Sequence, residues 1–554
     1  MEVSVIGSSQ AKVGRTELAY RELGLCSSKA HGVMALNSRA NLRLASLSTR
    51  WKNAGLRFSP MTVRSQHVRP KEVSGIAGRS KSGKIVNSKQ ETYIPQIELL
   101  KSDGVRLFVG LPLDVVSDCN TINHARAIAA GLKALKLLGV EGIELPVWWG
   151  IVEKEEIGKY EWSGYRAVAE MVENAGLKLH VSLCFHGSKK QKIPLPKWVY
   201  RIGESEPSIF FTDRSGQRYK ECLSLAVDDL PVLDGKTPVQ VYHDFCQSFK
   251  SAFMSCLGST IDGVSMGLGP DGELRYPSHH RASKGSIGVG EFQCYDKNML
   301  SILKQHAEAS GNPLWGLGGP HDAPSYDQSP HENNFFKDHG GSWESPYGDL
   351  FLSWYSNQLV DHGNRLLSMA SSVFEDTGVA IHGKLPLMHS WYGTRSHPSE
   401  MTSGFYNTCS RDGYEAVAQM FGSNSCKIIL PGMNLSDAHQ PRDSLSSPEL
   451  LLKQIRTACR KHGVEVSGQN SSVKNAPDGF EQIKKNLFGE NVINLFTYQR
   501  MGEDFFSPKH FSSFMQFVRS LNQPQLHSDD LLSEEEAVET VPVTSESGIN
   551  MQAA

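Results

Sequence analysis

The sequence predicts an α/β protein: a single (β/α)8 TIM barrel with long βα loops, preceded by a leader and followed by an acidic tail. Three observations point there. Eight short apolar runs lie between residues 105 and 498. Amphipathic stretches separate them, the alternation expected of parallel βα units. The turn after the first run, Leu111-Pro112-Leu113-Asp114, lacks the glycine-rich signature that a doubly wound dinucleotide-binding sheet should show there.

The first strand is expected over Arg106–Leu113, followed by a helix over Thr121–Leu138 that Gly139 closes. Gly142–Val147 is the second strand, with a helix through Val168–Val172. Leu177–Phe185 is the third, with a long helix at Val239–Leu257. Ile261–Met266 is the fourth, with Asp349–Val373 as a long helix further on. Val379–His389, Ser425–Leu430, Val464–Gly468 and Asn491–Tyr498 complete the eight. Helices at Gly413–Phe421, Pro448–His462 and Gly479–Leu487 separate these last strands. In such barrels chemistry sits at the carboxyl ends of the strands, so the residues just past each run are the ones to inspect.

The flanks differ from the body. Residues 1–90 hold sixteen Lys or Arg against four acids, a net charge of +12, which leaves −14 for the remainder of a chain whose total is −2. Rich in Ser, Arg and Ala and without a sustained period, they read as a transit peptide to a plastid stroma. Arg39, Arg43, Arg50, Arg57 and Arg64 are spaced singly, which speaks against a nucleic-acid-binding arm. Ala77 to Lys89 reads as a linker to a folded body over 91–523. From residue 524 the chain is acidic and aperiodic, with Asp529, Asp530, Glu534, Glu535, Glu536 and Glu539, and is expected to be a flexible tail.

Composition excludes some functions. An acidic body argues against nonspecific nucleic-acid binding, which needs Lys and Arg to neutralise phosphates. No run of about 18 apolar residues occurs, so no membrane span is expected. The ten cysteines form no Cys-x-x-Cys pair, and Cys184 and Cys246 sit in apolar patterns that suit small buried hydrophobes in a reducing compartment.

The strand ends suggest carbohydrate chemistry. After the fourth run, Gly269-Pro270-Asp271-Gly272-Glu273-Leu274-Arg275-Tyr276-Pro277 puts Glu273 in a glycine-rich turn, placed to project into a cleft. After the second, Trp148 and Trp149 pair at a strand end, which suits apolar sugar faces as well as core. Other ends supply His186, Lys384, His389 with Trp391, and Arg500. Each alone is more often structural; their convergence at one end of a barrel is what suggests a site.

These motifs carry a resemblance over about residues 95–520. Phe108-Val109-Gly110-Leu111-Pro112-Leu113, Gly142-Ile143-Glu144-Leu145-Pro146-Val147-Trp148-Trp149-Gly150, Gly272-Glu273-Leu274-Arg275-Tyr276-Pro277, Phe351-Leu352-Ser353-Trp354-Tyr355-Ser356 and Phe496-Thr497-Tyr498-Gln499-Arg500 resemble the β-amylases, glycoside hydrolase family 14. More closely, the chain is similar to the divergent, catalytically impaired type found in plant chloroplasts. The resemblance implies a fold that cuts maltose from the non-reducing ends of α-1,4-glucans, with inversion and without a cofactor or metal.

It also implies roles. An inverting glycosidase needs one carboxyl group to protonate the leaving oxygen and another to deprotonate the attacking water. The family's general acid falls on Glu273. Its general base, the Glu of a Gly-Glu-Asn motif after the seventh strand, falls on Gln469 in Ser467-Gly468-Gln469-Asn470-Ser471. A carboxamide has nearly a carboxylate's shape but is not basic near neutral pH, and losing general-base assistance costs about 10²–10⁴-fold in rate. By the same correspondence His186, Lys384, His389, Asn470, Ser471 and Arg500 match substrate-binding residues.

Further departures point the same way. Where the family has a mobile glycine-rich lid after the third strand, this chain has His186-Gly187-Ser188-Lys189-Lys190-Gln191-Lys192, which keeps the His but replaces the sugar-binding Asp and the glycines. Pro146 stands where an Asp grips the terminal glucose. Pro431 stands where an inner-loop Thr contacts substrate, and Ser390 replaces one of a Trp pair. Lid closure normally excludes water and completes such sites.

The expectation is a catalytically inactive or strongly impaired β-amylase-family protein of plastid starch metabolism, acting by binding. Its partner would be an α-1,4-glucan or maltooligosaccharide, or an active amylase or other starch enzyme. The alternative is a slow β-amylase in which another acid, such as Asp271 or Asp437, activates water. A nuclear sugar-sensing factor is a third reading, against which stands the lack of a periodic helix or metal motif in residues 1–90.

Overall fold

A computed structural model of the chain describes residues 104–280, 287–471, 476–488 and 492–522. The expected transit peptide and acidic tail lie outside these residues.

Eight parallel strands close into a barrel. They are β1 (Arg106–Gly110), β2 (Gly142–Trp148), β3 (Lys178–Cys184), β4 (Ile261–Met266), β5 (Ala380–Lys384), β6 (Lys427–Leu430), β7 (Val466–Gln469) and β8 (Leu495–Tyr498). Each pairs with its successor, and β1 closes the ring against β8 with Leu107 opposite Phe496 and Val109 opposite Tyr498. The expected count of eight holds.

Several ends move, for local reasons. β1 stops at Gly110, short of Leu113, because Pro112 has no N–H for the ladder. β5 ends at Lys384 rather than His389, with Pro386 just beyond. The helix expected from Thr121 begins at Ala125, after His124 turns through a left-handed φ of 53°. It buries Ile128, Leu132 and Leu135 on one face and leaves Leu137 in solvent.

Two long excursions carry elements that the sequence periodicity does not predict. Between β3 and the helix Pro238–Phe253 lie the helix Lys197–Ser205 and an antiparallel hairpin, Phe210–Thr212 with Arg218–Leu223. Between β4 and the helix Pro346–Phe374 lies the helix Lys297–Ala309. A last helix, Pro508–Asn522, follows β8 and buries Phe514 and Phe517 beside Phe480.

Aromatic packing joins helices to barrel. Trp162 meets Phe245, Phe249 and Phe253 on one face of Pro238–Phe253, a helix started by a capping box between Thr237 and Gln240. Each buried ring contributes about 1.5–3 kcal/mol relative to exposure. Cys184 and Cys246 are buried, and burial pushes both thiols up. Among the described residues no helix is long and apolar enough to cross a membrane.

Barrels of this kind usually fill their interior with bulky branched side chains. Here the strands also bury Glu144, His180, Ser265, His382, Gln469 and Thr497. Of these, Glu144, Ser265 and Gln469 border the mouth where the site lies, while His180 and His382 face the opposite end of the barrel.

Candidate active site

A cavity of about 1020 Å3 opens at the carboxyl ends of the strands. The ten positions matched to the family's catalytic and substrate-contacting residues all line it, from Pro146 on β2 to Arg500 beyond β8.

Glu273 is delivered by the turn after β4, where Gly272 takes a φ of 76° that glycine adopts without strain. The chain then crosses to β5, and the Leu274 N–H donates to the Lys384 carbonyl at 2.9 Å. Glu273 Oε2 accepts from Arg275 Nε at 2.8 Å, and Oε1 lies 3.3 Å from Lys384 Nζ. This carboxylate is held from both sides.

Gln469 ends β7 and is 6% exposed. Its backbone oxygen accepts from the Met433 N–H at 3.0 Å. Among the described residues its carboxamide has no hydrogen-bond partner in the protein and borders the cavity. It presents a donor and an acceptor to that space, and no base.

Asn470 is committed elsewhere. Its amide donates to the Gln499 carbonyl at 2.8 Å and its oxygen accepts from the Gln499 N–H at 2.7 Å, which ties the end of β7 to the end of β8. Ser471 donates its backbone N–H to Asn434 Oδ1 at 2.7 Å and stays on the exposed rim.

His186 is buried edge-on to Trp148, with ring centroids 5.2 Å apart. Burial pulls its pKa down to about 4, so it is neutral at physiological pH. Its Nδ1 has no partner among the described residues. His389, also lowered by burial, has Nδ1 2.5 Å from Ser446 Oγ. Beyond His186 the segment turns tightly, Lys189 pairs with Glu221 at 2.8 Å, and Lys190 and Gln191 reach the cavity rim.

Pro146 sits mid-strand, where a central ladder loses a donor, and Pro431 follows β6. Both walls are apolar at these points.

One buried carboxylate at the cavity is not among the positions that the sequence predicts. Glu144, two residues before Pro146 on β2, is 4% exposed and lines the cavity. Arg500 Nη1 lies 3.2 Å from its Oε2 and also donates to the Leu111 carbonyl at 2.5 Å; Gln499 Nε2 donates to the same carboxylate at 3.3 Å. Burial alone would raise its pKa, but Arg500, Ser182 and His180 outweigh burial and hold it below the ordinary value. The signal was available: a Glu between Ile143 and Leu145 in a fully buried strand needs a polar partner inside the barrel.

Three readings are corrected. Trp149 is fully buried, donates Nε1 to Glu153 at 2.7 Å and packs on Phe185, Trp198 and Tyr242, so it is core; only Trp148 borders the cavity. Trp391 donates to the Ile287 carbonyl and does not line the cavity. Asp437 accepts from Ser447 Oγ at 2.6 Å and from the Glu449 N–H at 2.9 Å, and it too lies off the cavity. Asp271 does line it, on an exposed edge, paired with Arg275. Among the described residues no group of three or more His, Cys, Asp or Glu is placed to hold a metal ion.

The profile of Glycosyl hydrolase family 14 matches residues 108–525. The chain belongs to this family. Inactive beta-amylase 9 of Arabidopsis thaliana is 58% identical over 551 residues, which cover 99% of each chain. Beta-amylase 1, chloroplastic, of the same plant is 43% identical, over 76% of each chain. Among solved structures, the catalytic domain of β-amylase from Paenibacillus polymyxa aligns with a TM-score of 0.64 and 26% identity, covering 76% of this chain and 99% of that one. This family 14 cavity is lined by the carboxylates of Glu144, Asp271, Glu273, Glu503 and Asp504, with an amide at the end of β7.

Proposed function

We propose that this chain is a β-amylase-type barrel that does not hydrolyse α-1,4-glucans at ordinary rates and that serves plastid starch metabolism by binding. Its ligand is either an α-1,4-glucan chain at the cavity or an active starch-degrading enzyme whose activity it modulates. The observation that carries the reading is Gln469: a cavity-facing amide at the place where the family resemblance puts the general base. Water near it can be oriented but not deprotonated.

Supporting features are the proline walls at Pro146 and Pro431 and the cationic segment after His186. The acid Glu273 keeps its place. Roles in this reading follow the motif correspondence: Glu273 as retained acid, with His186, Lys384, His389, Ser471 and Arg500 as sugar contacts. Asn470 would act by positioning Gln499. The plastid location is supported by the basic leader and by a relative named chloroplastic.

The test is maltose release. The chain from about residue 90 onward is incubated with maltopentaose and with soluble starch, and maltose is quantified. Turnover at rates ordinary for active members of the family overturns the proposal.

One observation favours a second reading, a slow β-amylase. Glu144 is a buried carboxylate held ionised inside the same cavity. Its pairing with Arg500 and Gln499 opposes a role as base, because proton uptake would break both contacts. If maltose release is detected, its loss in Glu144→Gln identifies that group as the base; persistence in Glu144→Gln excludes it.

A further inference from the structure

The barrel has a second opening, at the amino ends of its strands, which the proposed activity does not use. A cavity of about 660 Å3 enters there, within the range of small-molecule sites. Its rim carries Arg106 at the start of β1, Lys427 at the start of β6, and Arg456 and Arg460 one turn apart on the helix Pro448–Lys461. Among the lining residues these four cations face two carboxylates, Asp262 and Glu465; Arg106 is paired with Asp262 and with Glu141, and Lys427 with Glu465.

The floor is a pair of buried imidazoles. His180 and His382 meet edge to face with ring centroids 4.6 Å apart, and each is 3% exposed. His180 Nε2 lies 2.8 Å from Ser265 Oγ. Its Nδ1, on the other side of the ring, has no partner among the described residues. Gly263 makes room for that nitrogen: a Cβ there would sit 2.5 Å from it. A buried polar atom without a partner is destabilising, and a ligand hydroxyl or phosphate oxygen would relieve it.

Ser265 lines the upper cavity while His180 lines the lower one. One hydrogen bond therefore separates the two chambers.

We propose that the lower mouth binds a phosphate group, free or carried by a small sugar. The phosphate meets Lys427, Arg456 and Arg460, and the ligand's inner polar atom meets His180 Nδ1. Lys427, Arg456 and Arg460 all have other contacts within the protein, so the phosphate shares them. Arg456 commits Nη1 to the Asn486 carbonyl at 2.7 Å and Lys427 pairs with Glu465 at 2.6 Å, yet a guanidinium offers five donors and an ammonium three. Arg460 lies in the last turn of its helix, where the dipole disfavours anions, so side chains and not backbone amides must hold the phosphate.

The test is calorimetric titration of the full chain with inorganic phosphate, glucose 6-phosphate and glucose. Glucose 6-phosphate is expected to bind and glucose to give no heat. Inorganic phosphate binding as tightly as glucose 6-phosphate assigns the site to the free anion; binding about tenfold weaker assigns it to the sugar ester. Arg460→Ala and Lys427→Met, both at the exposed rim, should each weaken binding by about tenfold or more, the worth of a charge-assisted hydrogen bond. Lys384→Ala, in the upper cavity, should leave it unchanged. Absence of binding at about 10 mM of either phosphate ligand, beyond the weakest affinity a built site is expected to show, overturns the proposal. So does a loss of binding in Lys384→Ala without one in Arg460→Ala. The maltose assay is independent of both results, since it reports only on the opposite mouth.

Discussion

Gln469→Glu restores the one group whose absence carries the proposed function, and its effect can be worked out from the structure. The side chain ends β7 at 6% exposure and faces open cavity, so a Glu of the same shape fits without displacing a partner. General-base assistance is worth about 10²–10⁴-fold. The gain is opposed at three points. Pro146 and Pro431 cannot hydrogen-bond a sugar through their side chains, and two such bonds are worth about 2–4 kcal/mol together, or about 30- to 10³-fold. The segment after His186 is engaged with Glu221 through Lys189 instead of forming a glycine-rich lid. A new carboxylate in a buried position also favours its protonated, non-basic form. Gln469→Glu should therefore release maltose from maltopentaose faster than the parent chain yet remain about 10²-fold or more below an active β-amylase assayed beside it, the shortfall expected from the missing hydrogen bonds. Chromatographic quantification of maltose over time reads both limits. If the single variant comes within tenfold of the active enzyme, the weight placed on the prolines and the altered lid is wrong.

Other perturbations separate structure from function. Arg500→Met strands the buried Glu144 and should cost about 3–5 kcal/mol by urea denaturation, whereas Glu144→Leu with Arg500→Met should recover most of that; a loss under about 1 kcal/mol in the single variant would show the pair to be solvated. Because Glu144 titrates below its unfolded value, its contribution is present above the unfolded carboxyl pKa and fades as pH falls through the folded one, and Arg500→Met should erase that acid-side dependence. His186 works between higher limits: its folded pKa of about 4 lies below the ordinary 6.5, so stability falls as pH drops from 6.5 toward 4, by up to about 1.4 kcal/mol per pH unit from this group. His186→Phe should flatten that slope by about one proton, and an unchanged slope would mean the ring is hydrated. Gly150→Ala would drive a methyl into the Pro194 carbonyl and should destabilise the fold by about 1–3 kcal/mol or more, with thermal melting as the readout; wild-type stability would show that this loop yields freely.

The sequence by itself determined the architecture and the chemical deficit. Periodicity is a local property, so eight apolar runs separated by amphipathic helices could be counted without coordinates, and the absence of a basic group at Gln469 follows from the side chain alone. It could not say which polar residues inside the strands find one another. Glu144 lies 356 positions from Arg500, and only closure of β1 against β8 brings the two ends of the barrel together so that one can neutralise the other. Nor could it divide Trp148 from Trp149: they are adjacent in the chain, but the strand gives way to a helical turn between them, and one indole meets the cavity while the other fills the core. Burial and ion pairing depend on what arrives from distant segments, and that is decided only when the ring of strands is complete.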